Sequence, residues 1–195
     1  MAVAPDGKSV YAASFLSDAV VRLDRNTAGG AITQPAGTAG CVSQTAEGPC
    51  THGRALNGAR GVVVSPDGKS VYVASASNAS NAVVRLVRNT TTGAISQPAG
   101  AAGCISETGA GPCADGQGIV VPISVAVSPD GKSVYVASSN DNGSVARFVR
   151  NTTTGAITQP AGTAGCISET GAGPCADGHG LKGCLLYTSD AADEL

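Results

Sequence analysis

The sequence predicts an all-β protein: a β-propeller fragment of three four-stranded blades forming an open arc. Two observations predict it. A repeat of about 62 residues runs through the chain three times, and each repeat holds four short strand patterns whose apolarity falls from first to last. Composition agrees. Aromatics make up 3% of the chain, there is no Trp, and 27 Gly and 10 Pro recur at fixed places rather than in one tract. Short strands of small β-branched residues joined by frequent turns have this balance.

The repeat is anchored by Asp6, Asp67 and Asp130, spaced 61 and 63 residues apart, with Tyr11, Tyr72 and Tyr135 at the same steps. It divides the chain into blades at 1–59, 60–121 and 122–183. In the second repeat the inner strand is Gly61 to Ser65, a continuous apolar run suited to burial on both faces. Ser65-Pro66-Asp67-Gly68 then turns the chain, Pro fixing φ and Gly supplying φ > 0. The second strand is Ser70 to Ser75. The third, Ala82 to Arg88, carries Arg85 and Arg88 among its valines and is expected to be only partly buried. Asn89 to Gly93 makes a second turn, and Ala94 to Gln97 a short polar outer strand. A sandwich does not require so long a repeat, and a solenoid uses shorter coils.

The stretch 125–138, Val-Ala-Val-Ser-Pro-Asp-Gly-Lys-Ser-Val-Tyr-Val-Ala-Ser, resembles the YVTN-type repeat of lactonase-like β-propellers; it recurs at 62–75 and, degraded, at 3–14. The resemblance implies the fold more than the activity, because the motif marks a turn and a buried strand. It also implies a ring of seven blades, so further blades are expected in a full-length parent. The first repeat opens directly on Met1-Ala-Val-Ala-Pro-Asp-Gly with no signal sequence, and an upstream segment is expected to be missing. Residues 184–195 match nothing in the other repeats and resemble a translated sequencing adaptor. They are expected to be foreign to the fold, which also accounts for the odd seventh cysteine, Cys184.

Each repeat carries a Cys-x8-Cys pair, and the repeat makes local bridges the simplest pairing: Cys41–Cys50, Cys104–Cys113 and Cys166–Cys175. Closing such a loop is worth about 2.5–3 kcal/mol on a chain-entropy account. Zinc sites use closer ligands and a regularly placed His, so no metal and no cofactor are expected. Three bridges imply an oxidising compartment, extracellular or at a cell surface.

The net charge of −2, with basic residues spread evenly, gives no stripe for nucleic acid. No apolar run approaches the ~20 residues of a membrane helix. His52 and His179 fall at unrelated loop positions, and Glu107, Asp115, Glu169 and Asp177 read as solvated loop acids. No Gly-x-Ser-x-Gly elbow or phosphate loop occurs, so no catalytic residue is assigned.

Strand alternation puts the two tight turns of each blade on one face. The second-to-third-strand loops and the cysteine loops share the other. The second-to-third-strand loops vary between repeats, which marks their face for binding a protein or glycan. Phe15, Leu16, Asn78, Asn81, Asn140 and Asp141 are the candidate contacts. The function read from these features is a non-catalytic exported propeller segment, a binding or surface scaffold. The alternative, permitted by the resemblance, is part of a lactonase-type hydrolase acting like a 6-phosphogluconolactonase. Such an enzyme needs ionisable groups where the inner strands begin, and only Arg60 is charged there.

Overall fold

A computed structural model describes residues 1–46, 48–77 and 81–183. The expectation for 184–195 lies outside the described residues, and so does Asn78. The described chain forms three sheets of six strands, one after another. The first comprises β1 (Ala2–Val3), β2 (Ser9–Ser14), β3 (Ala19–Arg25), β4 (Ile32–Thr33), β5 (Cys41–Ser43) and β6 (Thr51–His52). The second comprises β7 (Ala59–Val64), β8 (Ser70–Ser75), β9 (Ala82–Arg88), β10 (Ile95–Ser96), β11 (Cys104–Ser106) and β12 (Ala114–Asp115). The third repeats the plan with β13 (Pro122–Val127), β14 (Ser133–Ser138), β15 (Ser144–Arg150), β16 (Ile157–Thr158), β17 (Cys166–Ser168) and β18 (Ala176–Asp177). The first strands of the sheets lie side by side, β7 touching both β1 and β13, and so form the inner layer of three blades.

The turns form for local reasons. At the β7–β8 hairpin the Asp67 carboxylate accepts the Lys69 N–H (3.1 Å) and the Ser65 hydroxyl (2.6 Å), and Gly68 takes φ 68°. At the next turn the Asn89 side chain accepts the N–H groups of Thr91 and Thr92, and Gly93 takes φ 75°. Both use a short polar side chain to replace missing ladder bonds.

The outer half of each blade differs from the four-strand expectation. The fourth strand is split. β10 pairs with the end of β9 (Ile95 with Arg88), and β11 pairs with its beginning (Cys104 with Val84), with a 3-10 turn at Gly100–Ala102 between them. A further strand, β12, then lies parallel to β11. The cysteine loop is therefore part of the blade's own edge. All three expected bridges form, with Cα separations of 4.8, 4.8 and 4.7 Å. A chain with three disulfides is built for an oxidising compartment rather than the cytosol.

The blades pack face to face through apolar side chains. Tyr11, Val20, Val42 and Leu56 of the first meet Val71, Val73, Val84 and Leu86 of the second. Tyr72, Val83, Ile105 and Ile119 of the second meet Val125, Val134, Val136 and Phe148 of the third. The bridges join these interfaces: a Cβ on Gly118 would lie 3.0 Å from Cys166 Cβ and 3.3 Å from Cys175 Sγ. Val125 is thus buried against the preceding blade, rather than facing an open side.

The arginines of β9 also depart from expectation. Arg85 and Arg88 are 7% and 4% exposed, because the interface supplies polar partners for them. Arg88 donates from Nε to the Tyr11 hydroxyl (2.7 Å), from Nη1 to the Gly68 carbonyl (3.1 Å) and from Nη2 to Asp6 (2.7 Å). Tyr11 in turn donates to the Gly93 carbonyl at 2.6 Å. Arg150 makes the same set with Tyr72, Gly131 and Asp67, and Tyr72 donates to Gly155. Nearer the loop face, Gln97 clasps the backbone N–H and carbonyl of Arg54, and Gln159 those of Gln117.

Burial works to raise the pKa of Asp6 and Asp67. For Asp6 the Lys8 N–H and Arg88 outweigh it; for Asp67 the Ser65 hydroxyl, Arg150 and the Lys69 N–H do. Both carboxyls are held below the ordinary range. Stability from such groups is complete above the unfolded value of about 3.9 and is lost as pH falls through the lower folded values.

Tyr72→Phe strands the buried Arg150 Nε and Gly155 carbonyl. It is expected to cost about 1–3 kcal/mol in urea unfolding. Tyr135→Phe, at the equivalent position on the open side of the third blade, is expected to cost less than about 0.5 kcal/mol.

Candidate functional site

Positions that hold the fold recur in every repeat; positions that break the repeat are where a specific role can reside. On the loop face the recurring part is a set of side-chain-to-backbone bonds. Asp18 Oδ1 accepts the Gly58 N–H at 2.7 Å, and Asn81 Oδ1 accepts that of Val121 at 3.0 Å. Gln44, Glu107 and Glu169 accept the N–H groups of Leu56, Ile119 and Leu181. The variable loops and the returns from the cysteine loops are therefore tied together on one face. Asn81, a candidate contact, uses its carbonyl oxygen for this tie.

The junction between the first two blades breaks the repeat. The register skip between Ala59 and Gly61 recurs between Pro122 and Ser124 in the third blade, so the bulge itself belongs to the repeat; what differs is the residue it carries, here the exposed Arg60. Its guanidinium lies over the ring of Phe15, 4.5 Å from the centroid. Gly58 lies beneath that ring: a Cβ there would meet Phe15 Cε2 at 3.2 Å and the Ala76 carbonyl at 2.3 Å. The next junction has Ala76 where this one has Phe15, Asn81 where it has Asp18, and Ile123 where it has Arg60. Phe15 is 46% exposed, Arg60 is exposed, and Leu16, at 93%, projects into solvent. Together they present a flat apolar ring, a permanent cation and a carboxylate held by a backbone N–H. A guanidinium placed in this way can hold a carbonyl oxygen or carboxylate, and it cannot serve as a base. Sequence reading found Phe15 and Arg60 separately. It missed their stacking because the bulge that joins them is a register effect.

The other candidates do not join this group. Asn140 lines a cleft of about 190 Å³ between the second and third blades, with Glu107, Gln117 and Asn142. Its buried Oδ1 has no partner among the described residues. Asp141 is exposed beside it. Glu107 is not the solvated acid expected. Burial raises its pKa above the ordinary value, against the Ile119 and Gly118 N–H groups that favour its charge, and Asp115 adds to the rise. Gln44 does the same job uncharged, so the role of Glu107 is to hold the loop. His52 and His179 are both exposed, as expected. Among the described residues no group of three or more His, Cys, Asp or Glu could hold a metal ion, and no helix is long and apolar enough to cross a membrane.

A second cleft, of about 440 Å³, lies on the turn face beside Lys8, Arg22, Asp24, Arg25 and Arg88. It too arises from a broken repeat. Arg85 donates to the Thr154 carbonyl across its interface, whereas Arg22 is drawn to Asp24 at 2.5 Å. Asp24 stands where the other blades have Val87 and Val149. Sequence reading did not single out this acid.

The repeated blades and their side-by-side inner strands define a β-propeller fragment. The profile described as "Lactonase, 7-bladed beta-propeller" matches residues 1–164. The chain belongs to that family. Among solved structures it is similar to a candidate 6-phosphogluconolactonase from Bacteroides fragilis, with TM-score 0.58 and 22% identity over 80% of this chain and 35% of that one. A Lactobacillus plantarum protein gives 0.57 and 22% over 80% and 38%. The periplasmic gluconolactonase PpgL of Pseudomonas aeruginosa gives 0.54 and 21% over 80% and 36%. The chain thus spans little more than a third of the length of these structures. At these identities the likeness shows the fold. A search of curated protein sequences finds no match.

The raised pKa of Glu107 yields a pH test. A carboxyl that binds its proton more tightly when folded lowers stability as pH rises from the unfolded value through the folded one. Glu107→Gln is therefore expected to raise the thermal midpoint at neutral pH, with the gain shrinking as the pH is lowered into the carboxylate range.

Proposed function

We propose that the chain serves a propeller hydrolase that opens sugar lactones, and that the Phe15–Asp18–Arg60 junction is the part of its substrate site these blades contribute. The family match over residues 1–164 carries this reading and favours it over a non-catalytic scaffold. In the reaction water adds to the lactone carbonyl, the ring ester C–O bond breaks, the ring oxygen takes one of the water's protons to leave as a hydroxyl, and the other proton is released to solvent as the carbonyl carbon becomes a carboxylate. Charge develops on the carbonyl oxygen and remains on the product. Arg60 is the group suited to hold it, with the Phe15 ring as a platform for the sugar. Asp18, whose Oδ1 accepts the Gly58 N–H below the Phe15 ring, is the candidate carboxylate to orient water with its second oxygen. The three disulfides and the periplasmic location of the Pseudomonas protein support an exported site of action, periplasmic or extracellular.

The test is hydrolysis of glucono-δ-lactone and of its 6-phospho derivative by the oxidised chain, followed with a pH indicator against spontaneous opening. Turnover is expected to scale with protein. Arg60→Ala is expected to lower kcat/KM about a hundredfold while the circular dichroism melting curve stays unchanged. A rate equal to the spontaneous one with both lactones would overturn the proposal and return the scaffold reading to first place.

A further inference from the structure

Each junction between two blades forms a cleft on the loop face, walled on one side by the cysteine loop of the later blade. At the first junction a cleft of about 300 Å³ is lined by Gln44, Arg54, Asn57 and Ser106. At the second, the cleft of about 190 Å³ is lined by Glu107, Gln117, Asn140, Asn142 and Ser168. Glu107, Gln117 and Ser168 stand where Gln44, Arg54 and Ser106 stand one repeat earlier, so the two clefts share one frame. Their chemistry differs. Arg54 gives the first a permanent cation, which Gln117 replaces by an amide in the second. Asn140 and Asn142 come from the variable loop of the third blade and belong to the second cleft alone.

The serines differ as well. Ser106 is satisfied within its own blade, its hydroxyl accepting the Ala110 N–H at 3.0 Å. Ser168 is 3% exposed, and its hydroxyl oxygen has no partner among the described residues. With Asn140 Oδ1 it gives the second cleft two buried acceptors that the fold leaves unanswered. A buried oxygen without a donor is costly, and native folds keep one where something from outside the chain supplies the donor. The rest of the lining says what that is. Among the described residues no Lys, Arg or His lines this cleft, so nothing there selects an anion. Glu107 is its single carboxylate, and Oε2 is committed to the Ile119 N–H at 2.6 Å, which is too few charged oxygens for a calcium or magnesium ion. Neutral amides and hydroxyls remain, beside the apolar edges of Val120 and Pro174. A hydroxyl both donates and accepts, and a sugar presents several in fixed directions around an apolar C–H face.

We propose that the cleft between the second and third blades binds one neutral sugar residue, whose hydroxyls donate to Asn140 Oδ1 and Ser168 Oγ and whose ring lies against Val120 and Pro174. A volume of about 190 Å³ equals that of about six water molecules, room for a single ring and not for a longer stretch of chain. The cleft opens on the loop face, so one chemistry serves two sources, a free monosaccharide or the end residue of a glycan. The site shares no residue with the Phe15–Asp18–Arg60 junction and does not depend on lactone opening.

Saturation-transfer NMR on the oxidised full chain tests this with glucose, galactose, mannose and N-acetylglucosamine, each free and as the end residue of a short oligosaccharide. Asn140→Leu and Ser168→Ala remove the two acceptors, and Ser106→Ala makes the matching change in the first cleft. Retained disulfides and unchanged far-ultraviolet circular dichroism establish that each variant folds. At least one sugar is expected to bind the wild-type chain saturably. Asn140→Leu and Ser168→Ala are each expected to weaken it at least about fivefold, the loss of one hydrogen bond, while Ser106→Ala leaves it unchanged. Binding of the free sugars assigns a soluble ligand, and binding of the oligosaccharides alone a glycan; either supports the site. Because binding is read without turnover, inactivity towards lactones does not bear on it. No saturable binding of any of these sugars, binding that both acceptor variants keep at wild-type strength, or ordered water alone on the two oxygens in sugar-soaked crystals overturns the proposal.

Discussion

An arginine buried between two sheets is the constraint on which this structure depends. A blade with apolar side chains on both faces has no stable existence in water by itself. It needs a neighbour, and it needs the neighbour in register. Apolar packing alone would allow two such sheets to slide. Arg88 and Arg150 prevent this because a desolvated guanidinium is tolerated only where its donors are matched. Each is answered by a tyrosine hydroxyl and an aspartate from the blade before and by a carbonyl from its own turn. The tight Ser-Pro-Asp-Gly turns are thus more than connectors. They deliver the aspartate of one blade and the glycine carbonyl of the next to a common point.

Much of this was legible in the residues, and the part that was not has a physical reason. The inner and second strands follow from continuous apolar runs and from turns whose chemistry is local. The bridges follow from a spacing that repeats with the blade. The burial of Arg85 and Arg88 was not legible, because sequence patterns treat an arginine as a surface residue and its partners lie about eighty positions away. The parallel strand β12 was equally hidden. Two residues, Ala114 and Asp115, carry no strand signal, and only the bridge to Cys104 brings them alongside. For the candidate site, Arg60 was visible as the one charge where an inner strand begins. Its partner Phe15 was visible only as an apolar loop residue.

Internal repetition separates structure from function in a way that a single-copy fold does not permit. Gln44, Glu107 and Glu169 differ in charge yet make the same bond, so charge is incidental there despite the perturbed pKa of Glu107. Phe15 and Arg60 have no such counterparts, and the glycine beneath the ring, Gly58, is replaced by Val121 at the next junction, where the backbone keeps a positive φ of 55°. A branched residue in that region is strained. The fold accepts the strain at one junction and relieves it at the other, where a ring needs the space.

The short strand at the rim of each blade bears on how the protein comes to be folded. A sheet that ends on an open strand is a template for any other chain with unpaired N–H and C=O groups. Here the rim presents two residues, the second of them Asp or His, and the bridge pins them in place. Until that bond forms, β5, β11 and β17 are themselves the rim. Oxidation therefore closes a window during which newly made chains can adhere to one another. Each bridge thus holds a short, polar strand over an edge that would otherwise be open to pairing.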